Sequence, residues 1–355
     1  MEQRRLRPEA HYHEVDAWLR ERGVRRLFLV HGKSLEGLPL GRYFAMLEER
    51  TGIRVVSCTD FRPNPLREEA EAALAAFRAH GCDAIAAAGG GSAMDVAKCV
   101  RLWSGGGRPV PLLAMPTTAG TGSEATHFAV VYRGGEKQSV SDELCRPDAF
   151  LLDPASLTAL PAYHRKSSML DALCHGIESF WSRRADDASR ALSRQAIETL
   201  WAHADGYLSN TPAGNAGMLE AAYLAGRAID RAQTTAGHAM CYKLTGLYGI
   251  AHGHAASLCV RALWPYMAER AAGTPLEGVL RQLAEAMGCG DTASAIAKYN
   301  RLLDRLDLPV PAARAGDLAL LRDSVNPERL GNHPLPLDRA ALEGLYRQIL
   351  QEVAL

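Results

Sequence analysis

Short apolar runs alternate with helical stretches through the first half of the chain, and this alternation restricts the fold more than any other feature of its 355 residues. Arg26–Val30, Arg54–Cys58, Ala84–Ala88 and Pro111–Met115 are of strand length and largely apolar, the pattern of strands buried on both faces of a parallel sheet. Between them, Glu68–His80 and Ser92–Trp103 carry helical periodicity. Right-handed strand–helix–strand units follow, with helices over the sheet faces. Phe128–Tyr132 and Lys137–Ser141, joined by Arg133-Gly134-Gly135-Glu136, predict a β-hairpin appended to that sheet, and Ala149–Leu152 predicts a last strand.

From about residue 156 the pattern becomes helical throughout, with helices expected over 165–182, 186–207, 215–232, 234–248, 255–271, 275–287, 291–306, 314–324 and 338–351. The expected architecture is an α/β nucleotide-binding domain with a parallel sheet over 1–155 and an all-helical domain over 156–355, with ligands in a cleft between them. The 40 Lys+Arg balance 40 Asp+Glu, and no dense basic run occurs, so nucleic acid is not an expected partner. The first 25 residues lack the apolar core of a signal peptide, and no uncharged apolar stretch reaches membrane-spanning length. A soluble, cytoplasmic protein is expected. The eight cysteines stand singly with no CxxC pair and read as reduced, buried residues.

Gly89-Gly90-Gly91-Ser92 follows one apolar strand and opens a helix. Three glycines allow positive φ and close approach of backbone N–H groups to a ligand, and Ser92 is placed to cap the helix. A helix N-terminus so built suits a pyrophosphate. A second polar turn, Pro116–Glu124, leaves the same sheet edge after the next strand, with small hydroxyl residues interleaved with glycine.

Asp171 and His175, four residues apart, share one helix face. His238 lies in a later helical stretch, and His252 stands at the start of another. One carboxylate and three imidazoles from three helices can hold a divalent transition metal with coordination left open for a substrate oxygen.

The combination GGGSAMDVAK (89–98), MPTTAGTGSEAT (115–126), MLDALCHGIES (169–179) and GHAMCYKLTGLYGIAHG (237–253) resembles the iron-containing, group III alcohol dehydrogenase family, in order and spacing, from about residue 25 to the C-terminal helix. The resemblance implies the dehydroquinate synthase-like architecture, a nicotinamide cofactor on the glycine turn, and Fe2+ (Zn2+ in some members) on Asp171, His175, His238 and His252. Ser92, Asp95, Thr117, Thr118, Ser123 and Lys137 fall at matching cofactor positions. Relatives are commonly dimers, so a homodimer is an expectation of the same kind.

Two departures from the family pattern bear on specificity. Tyr242, followed by Lys243, stands where many members carry a histidine near the substrate. Gly32 stands where several NAD-preferring members carry a ribose-binding Asp; without that carboxylate there is no repulsion toward a 2′-phosphate, which Lys33 or Ser34 could contact, so NADPH or NADH is the expected cofactor. GHAMCYKLTGLYGIAHGH together with EKQSV (136–140), KSSMLDALCHGIESFWS (166–182) and VNPERLGNHP (325–334) is similar to the phosphonoacetaldehyde reductase branch. That likeness implies reduction of a small aldehyde carrying a phosphonate to 2-hydroxyethylphosphonate. Lys243, His254, Arg165 and Lys166 are then candidates to meet the anion, and Tyr242, His254, the ribose hydroxyls or water to supply a proton. The alternatives are a general short-chain alcohol, lactaldehyde or propanediol dehydrogenase, and a dehydroquinate synthase-like lyase.

Overall fold

The structure, a computed structural model, describes residues 3–9, 11–105 and 109–350. Strand β1 (Arg4–Leu6) is followed by helix α1 (His13–Glu21), β2 (Arg26–His31), α2 (Pro39–Ala45), α3 (Leu47–Thr51), β3 (Arg54–Cys58), α4 (Arg67–Ala79), β4 (Ala84–Gly89), α5 (Gly91–Ser104) and β5 (Leu112–Pro116). Next come β6 (Phe128–Arg133), β7 (Glu136–Ser141) and β8 (Ala149–Leu151). Helices α6 (Ala162–Trp181), α7 (Asp187–Leu208), α8 (Pro212–Ala232), α9 (Ala236–Tyr248), α10 (His252–Ala271), α11 (Pro275–Ala286), α12 (Thr292–Leu306), α13 (Asp317–Asp323), α14 (Pro327–Leu330) and α15 (Arg339–Ile349) follow. No helix among the described residues is long and apolar enough to cross a membrane.

The six-stranded sheet has the order β1-β8-β5-β4-β2-β3, and every pairing in it is parallel. Its inner strands β8, β5, β4 and β2 are buried on both faces because helices cover both, while the edge strands β1 and β3 are partly exposed. From β2, Leu27 and Leu29 join the cluster built on Trp18, Leu19, Tyr43 and Phe44 of α1 and α2. Phe28, on the opposite face, packs edge-on against Phe77 of α4, with ring centroids 5.7 Å apart.

The hairpin departs from expectation. Strands β6 and β7 pair only with each other, as a separate two-stranded sheet, rather than extending the main one. Both flanks of β5 are already taken by β4 and β8, and the hairpin instead lays Ala129 and Val131 against Ala70 of α4 and Cys99 of α5.

The chain divides into two compact units, Met1–Pro161 with Asp205–Gly226, and Ala162–Ala204 with Arg227–Leu355. Residues 205–226 were expected with the helical half, but specific contacts tie them to the first unit. Tyr223 stacks on Phe150 of β8 at 4.4 Å, Glu220 pairs with Arg5 at 2.7 Å, and Asn215 donates to the carbonyl of Pro154. Gly226 faces Gly122 so closely that a Cβ on Gly122 would stand 2.5 Å from the Gly226 Cα.

In the second unit, His333 is buried, and neither ring nitrogen has a hydrogen-bond partner among the described residues. Burial lowers its pKa from 6.5 to about 4, with Glu178 pulling weakly the other way. The unfolded chain therefore binds a proton that the folded one refuses between these two values. The corresponding stability is present above pH 6.5 and lost as the pH falls toward 4. His333→Met fills the volume without ionising. It should flatten the fall in melting temperature across that window, and an unchanged slope in thermal scans at half-unit pH steps would show that His333 is not buried neutral.

Candidate metal centre and cofactor turns

In the first unit, the strand order reverses direction beside β2: β3 lies on one side and β4 on the other. Such a switch point leaves a crevice at the carboxyl ends of the two strands, where doubly wound sheets bind nucleotides. Gly32 follows β2 there and Gly89–Gly91 follow β4. A Cβ on Gly89 would lie 3.8 Å from the Gly32 backbone nitrogen. The turn after β5 joins them, since Thr117 N–H donates to the Gly89 carbonyl at 3.0 Å.

Two details of the glycine turn differ from the sequence reading. None of Gly89, Gly90 and Gly91 has positive φ, and Gly90 is extended at φ −80°, ψ −168°. Space explains the glycine instead: a Cβ on Gly90 would meet the Thr118 side chain at 3.3 Å. Nor does Ser92 cap α5. The helix begins one residue earlier with Gly90 at the cap position, and the Ser92 hydroxyl accepts from the backbone N–H of Asn64 at 3.1 Å.

Behind the turns, the Lys98 ammonium is fully buried and donates to Ser123 Oγ at 3.0 Å, Thr126 Oγ1 at 2.8 Å and the Phe128 carbonyl at 2.8 Å. It fastens the second polar turn to α5. Ser123 is thus engaged by a side chain of the protein itself. Burial pushes the Asp95 carboxyl up to about 6 against the pull of Lys98, the Val130 N–H and Lys137, so Asp95 and Lys137 lie within each other's electrostatic reach.

In the second unit, α6, α9 and α10 bring Asp171, His238 and His252 together, with one ligand atom from each lying within 4.8 Å of the other two. Asp171 Oδ1 is 3.5 Å from His238 Nε2. Metal–ligand bonds of about 2.1 Å set tetrahedral edges of about 3.4 Å, so the spacing fits a divalent ion. His175 lies alongside, its Nε2 4.0 Å from Asp171 Oδ1 and its ring stacked on His238 at 4.5 Å. Asp171 Oδ1 and His238 Nε2 are both buried without a hydrogen-bond partner. Leaving two such atoms unmet is costly, and a cation between them satisfies both. Burial opposes charge on Asp171, yet His175, His238 and His252 outweigh it and hold the carboxyl well below its usual range.

Gly253 makes this convergence sterically feasible. A Cβ there would stand 2.1 Å from the Ser167 carbonyl oxygen and 2.6 Å from the Asp171 Cβ. Only a glycine lets the first turn of α10 reach α6 and set His252 beside Asp171.

Sequence reasoning overlooked Glu178. This fully buried carboxylate accepts from His238 Nδ1 at 2.5 Å, and from Thr235 N and Oγ1 at 2.7 Å each. It also accepts a longer bond from the backbone N–H of His238 at 3.4 Å. It therefore caps α9 from a neighbouring helix, meeting N–H groups that its own cap residue Thr235 leaves open. The same contact keeps a proton on Nδ1 of His238 and leaves Nε2, which faces Asp171, as the ring nitrogen that would ligate a metal. The signal was present: Glu178 stands three residues after His175 and seven after Asp171, on the same helix face.

Tyr242 stacks on His252, with ring centroids 5.4 Å apart and planes 15° from parallel. Lys243, the next residue on α9, is exposed. His254 is buried and committed to α6: its backbone N–H donates to Ser167 Oγ at 3.1 Å, and Nδ1 lies 3.2 Å from the Tyr163 hydroxyl. Burial lowers the His254 pKa to about 4, which keeps the ring neutral. The Lys166 ammonium donates to the Leu306 carbonyl at 2.7 Å, while Arg165 is buried.

Comparison with known proteins agrees with this arrangement. Residues 5–154 match the iron-containing alcohol dehydrogenase family, and residues 166–316 match the C-terminal region of the Fe-containing alcohol dehydrogenases. The chain belongs to the iron-containing alcohol dehydrogenase family. It is thus an NAD(P)-linked oxidoreductase. Among its relatives is the phosphonoacetaldehyde reductase of Streptomyces viridochromogenes, 33% identical over 313 residues, which span 78% of this chain and 79% of that protein. The NAD-dependent methanol dehydrogenase of Bacillus methanolicus is 28% identical over 258 residues, 68% of each chain. The same fold is seen in the sulfoacetaldehyde reductase of Bifidobacterium kashiwanohense in complex with NAD+, with a TM-score of 0.87 at 24% identity, covering 98% of this chain and 96% of that one.

Gly90→Val carries a branched side chain into the space of Thr118 and onto the surface left for a pyrophosphate. NAD(P)H affinity measured by titration calorimetry should fall at least about tenfold while bound metal stays stoichiometric. Full cofactor affinity in this variant would remove the turn from the cofactor site.

Proposed function

We propose that this iron-containing alcohol dehydrogenase reduces a two-carbon aldehyde bearing an anionic group, phosphonoacetaldehyde first among them, to the corresponding alcohol. The observation carrying the metal-dependent part is the buried, unpartnered pair of Asp171 Oδ1 and His238 Nε2, 3.5 Å apart, with His238 Nδ1 already bonded to Glu178. Support for the substrate comes from the relative in Streptomyces viridochromogenes, whose name states that reaction. Asp171, His175, His238 and His252 are the ligands we assign, and Gly89–Gly91, Ser92, Asp95, Thr117, Thr118, Ser123 and Lys137 are the cofactor-contacting set. The homodimer, the cytoplasmic location and a place in phosphonate biosynthesis belong to the same proposal.

A divalent metal at this centre supplies Lewis-acid polarisation of the aldehyde oxygen, and the nicotinamide supplies the hydride. The chain's own groups do the rest. Glu178 holds the His238 tautomer, and the Tyr242 ring covers one face of His252. We assign the Tyr242 hydroxyl as the proton source for the reduced oxygen, because the Tyr242 ring lies on His252, whereas His254 turns Nδ1 to Tyr163 on α6 and buries Nε2 without a hydrogen-bond partner among the described residues. For the anion we assign Arg165, a buried guanidinium on α6, the helix that carries Asp171 and His175. A buried guanidinium recognises phosphonate or sulfonate oxygens through paired N–H donors.

The test is turnover of the Fe2+-reconstituted enzyme with NADH and NADPH on phosphonoacetaldehyde, sulfoacetaldehyde and propanal. Phosphonoacetaldehyde should give the highest kcat/KM; propanal turned over as well would point to a general alcohol dehydrogenase. Arg165→Met should raise the KM for phosphonoacetaldehyde at least about tenfold, with Arg165→Lys restoring part of it, and leave propanal nearly unchanged. Equal loss on both aldehydes would assign Arg165 to structure. His252→Ala should lose bound metal by elemental analysis, and full metal content would remove it from the ligand set.

Gly32→Asp sets a carboxylate at the end of β2, beside the glycine turn. It should weaken NADPH relative to NADH by at least about tenfold, because a 2′-phosphate would meet a like charge. An unchanged ratio of the two KM values would mean that Gly32 does not face the adenosine ribose.

A further inference from the structure

Asn332 lies far along the chain from the metal centre, just after α14, and is buried. Its amide uses its full hydrogen-bonding capacity. Nδ2 donates to the carbonyls of Ala232 and Thr234, each at 2.9 Å. Oδ1 accepts from Ser182 Oγ at 2.9 Å and from the backbone N–H of Arg184 at 3.3 Å. Its backbone carbonyl accepts from the N–H of Arg183 at 3.0 Å. The single Ser182 hydroxyl proton is shared between Asn332 Oδ1 and the Ala232 carbonyl, 2.7 Å away. One side chain thus joins the end of α6 to the connection between α8 and α9.

That connection is short and strained. Gln233 adopts φ 60°, a left-handed conformation that a residue with a Cβ takes only when its surroundings impose it. Two residues on, Thr235 gives its N–H and its hydroxyl to Glu178, and its hydroxyl also accepts from Trp181 Nε1 at 2.9 Å. Glu178 in turn holds His238. A contiguous path of buried hydrogen bonds therefore runs from Asn332 through the 232–235 backbone to Thr235, Glu178 and the imidazole of His238.

We propose that Asn332 is a positioning residue of the metal centre, fixing the α8–α9 connection so that Glu178 and Thr235 hold His238 Nε2 on the ligand position. The proposal rests on reading Asp171, His238 and His252 as metal ligands. Without the two Nδ2 bonds, the strained connection relaxes and the first turn of α9 moves. Glu178 then no longer meets Thr235 and His238 together. Loss of an outer partner of this kind typically weakens metal binding about 10–100-fold.

The experiment measures metal affinity apart from turnover. Wild-type protein, Asn332→Ala, Asn332→Asp, Glu178→Gln and the double variant Asn332→Ala/Glu178→Gln are stripped of metal and titrated with Co2+ against a competing chelator. The visible spectrum of bound Co2+ reports the ligand geometry. Asn332→Ala should bind Co2+ about 10–100-fold more weakly with an altered spectrum, while NAD(P)H affinity stays at the wild-type value. Asn332→Asp keeps the acceptor toward Ser182 and Arg184 and loses both donors, so it should reproduce the defect even if the alanine variant folds poorly. The double variant should be little worse than Glu178→Gln alone, because both changes interrupt one path. Unchanged Co2+ affinity and spectrum alongside a lower melting temperature would overturn the proposal and leave Asn332 a structural residue. Strictly additive losses would overturn it as well. Retention of metal by His252→Ala would instead overturn the ligand reading on which it rests.

Discussion

The buried carboxylate of Glu178 is the constraint on which the helical unit depends. Taking a charged oxygen pair out of water costs several kcal/mol unless donors replace the lost hydration. Here the donors are Thr235, through both backbone and hydroxyl, and His238, through its ring. Burial pushes the Glu178 carboxyl up, but His238 and Thr235 together bring it below its ordinary value, so the group stays ionised. Much of the neighbouring sequence follows from this one group. Gly237 lacks a side chain because a Cβ would stand 2.6 Å from Glu178 Oε1. Helix α9 can begin without a capping side chain of its own because the carboxylate of another helix does that work. The proposed metal site and the start of α9 are therefore one construction.

In the α/β unit the comparable role falls to a cation. Lys98, fully buried, donates to Ser123, Thr126 and Phe128. The polar turn after β5 is thereby fixed at its far end, while its near end is bonded to the glycine turn through Thr117. Phosphate-binding turns gain affinity when their N–H groups are preorganised rather than ordered by the ligand. The glycines contribute by keeping side chains out of the space between the two turns, without any unusual backbone angle.

The elements read most accurately were those with an unambiguous period. β3 spans the very residues expected, β2 and β4 differ by one residue at one end, and β5, α4 and α5 differ by one residue at each end. Asp171 and His175 stand out in the sequence because a four-residue spacing of ligand types on an apolar helix has few other uses, and the structure sets His175 Nε2 4.0 Å from Asp171 Oδ1. Elements whose signal is short or non-local were missed. Helix α1 gives a weak signal because it is short, and charged residues interrupt its buried stripe of Val15, Trp18 and Leu19. The hairpin was assigned to the wrong sheet because strand pairing depends on which edges are vacant, which no local pattern records. Asn332 had no local signal at all, since its partners lie about a hundred or more residues away. Likewise the glycine turn advertised positive φ, the commoner reason for glycine, when the operative reason was a neighbouring threonine that only the fold brings near.

The attachment of residues 205–226 to the first unit has a consequence for how the protein is made. The Gly122–Gly226 approach and the Phe150–Tyr223 stack join segments that leave the ribosome at different times. Domains usually fold as units in the order of their synthesis, at roughly 5–20 residues per second. Here the leading unit cannot complete its packing when residue 161 emerges, because a piece of it follows most of α6 and α7. For several seconds of translation the nascent chain therefore carries an α/β layer with an uncovered apolar patch around Phe150, which is when holding chaperones would have most to protect.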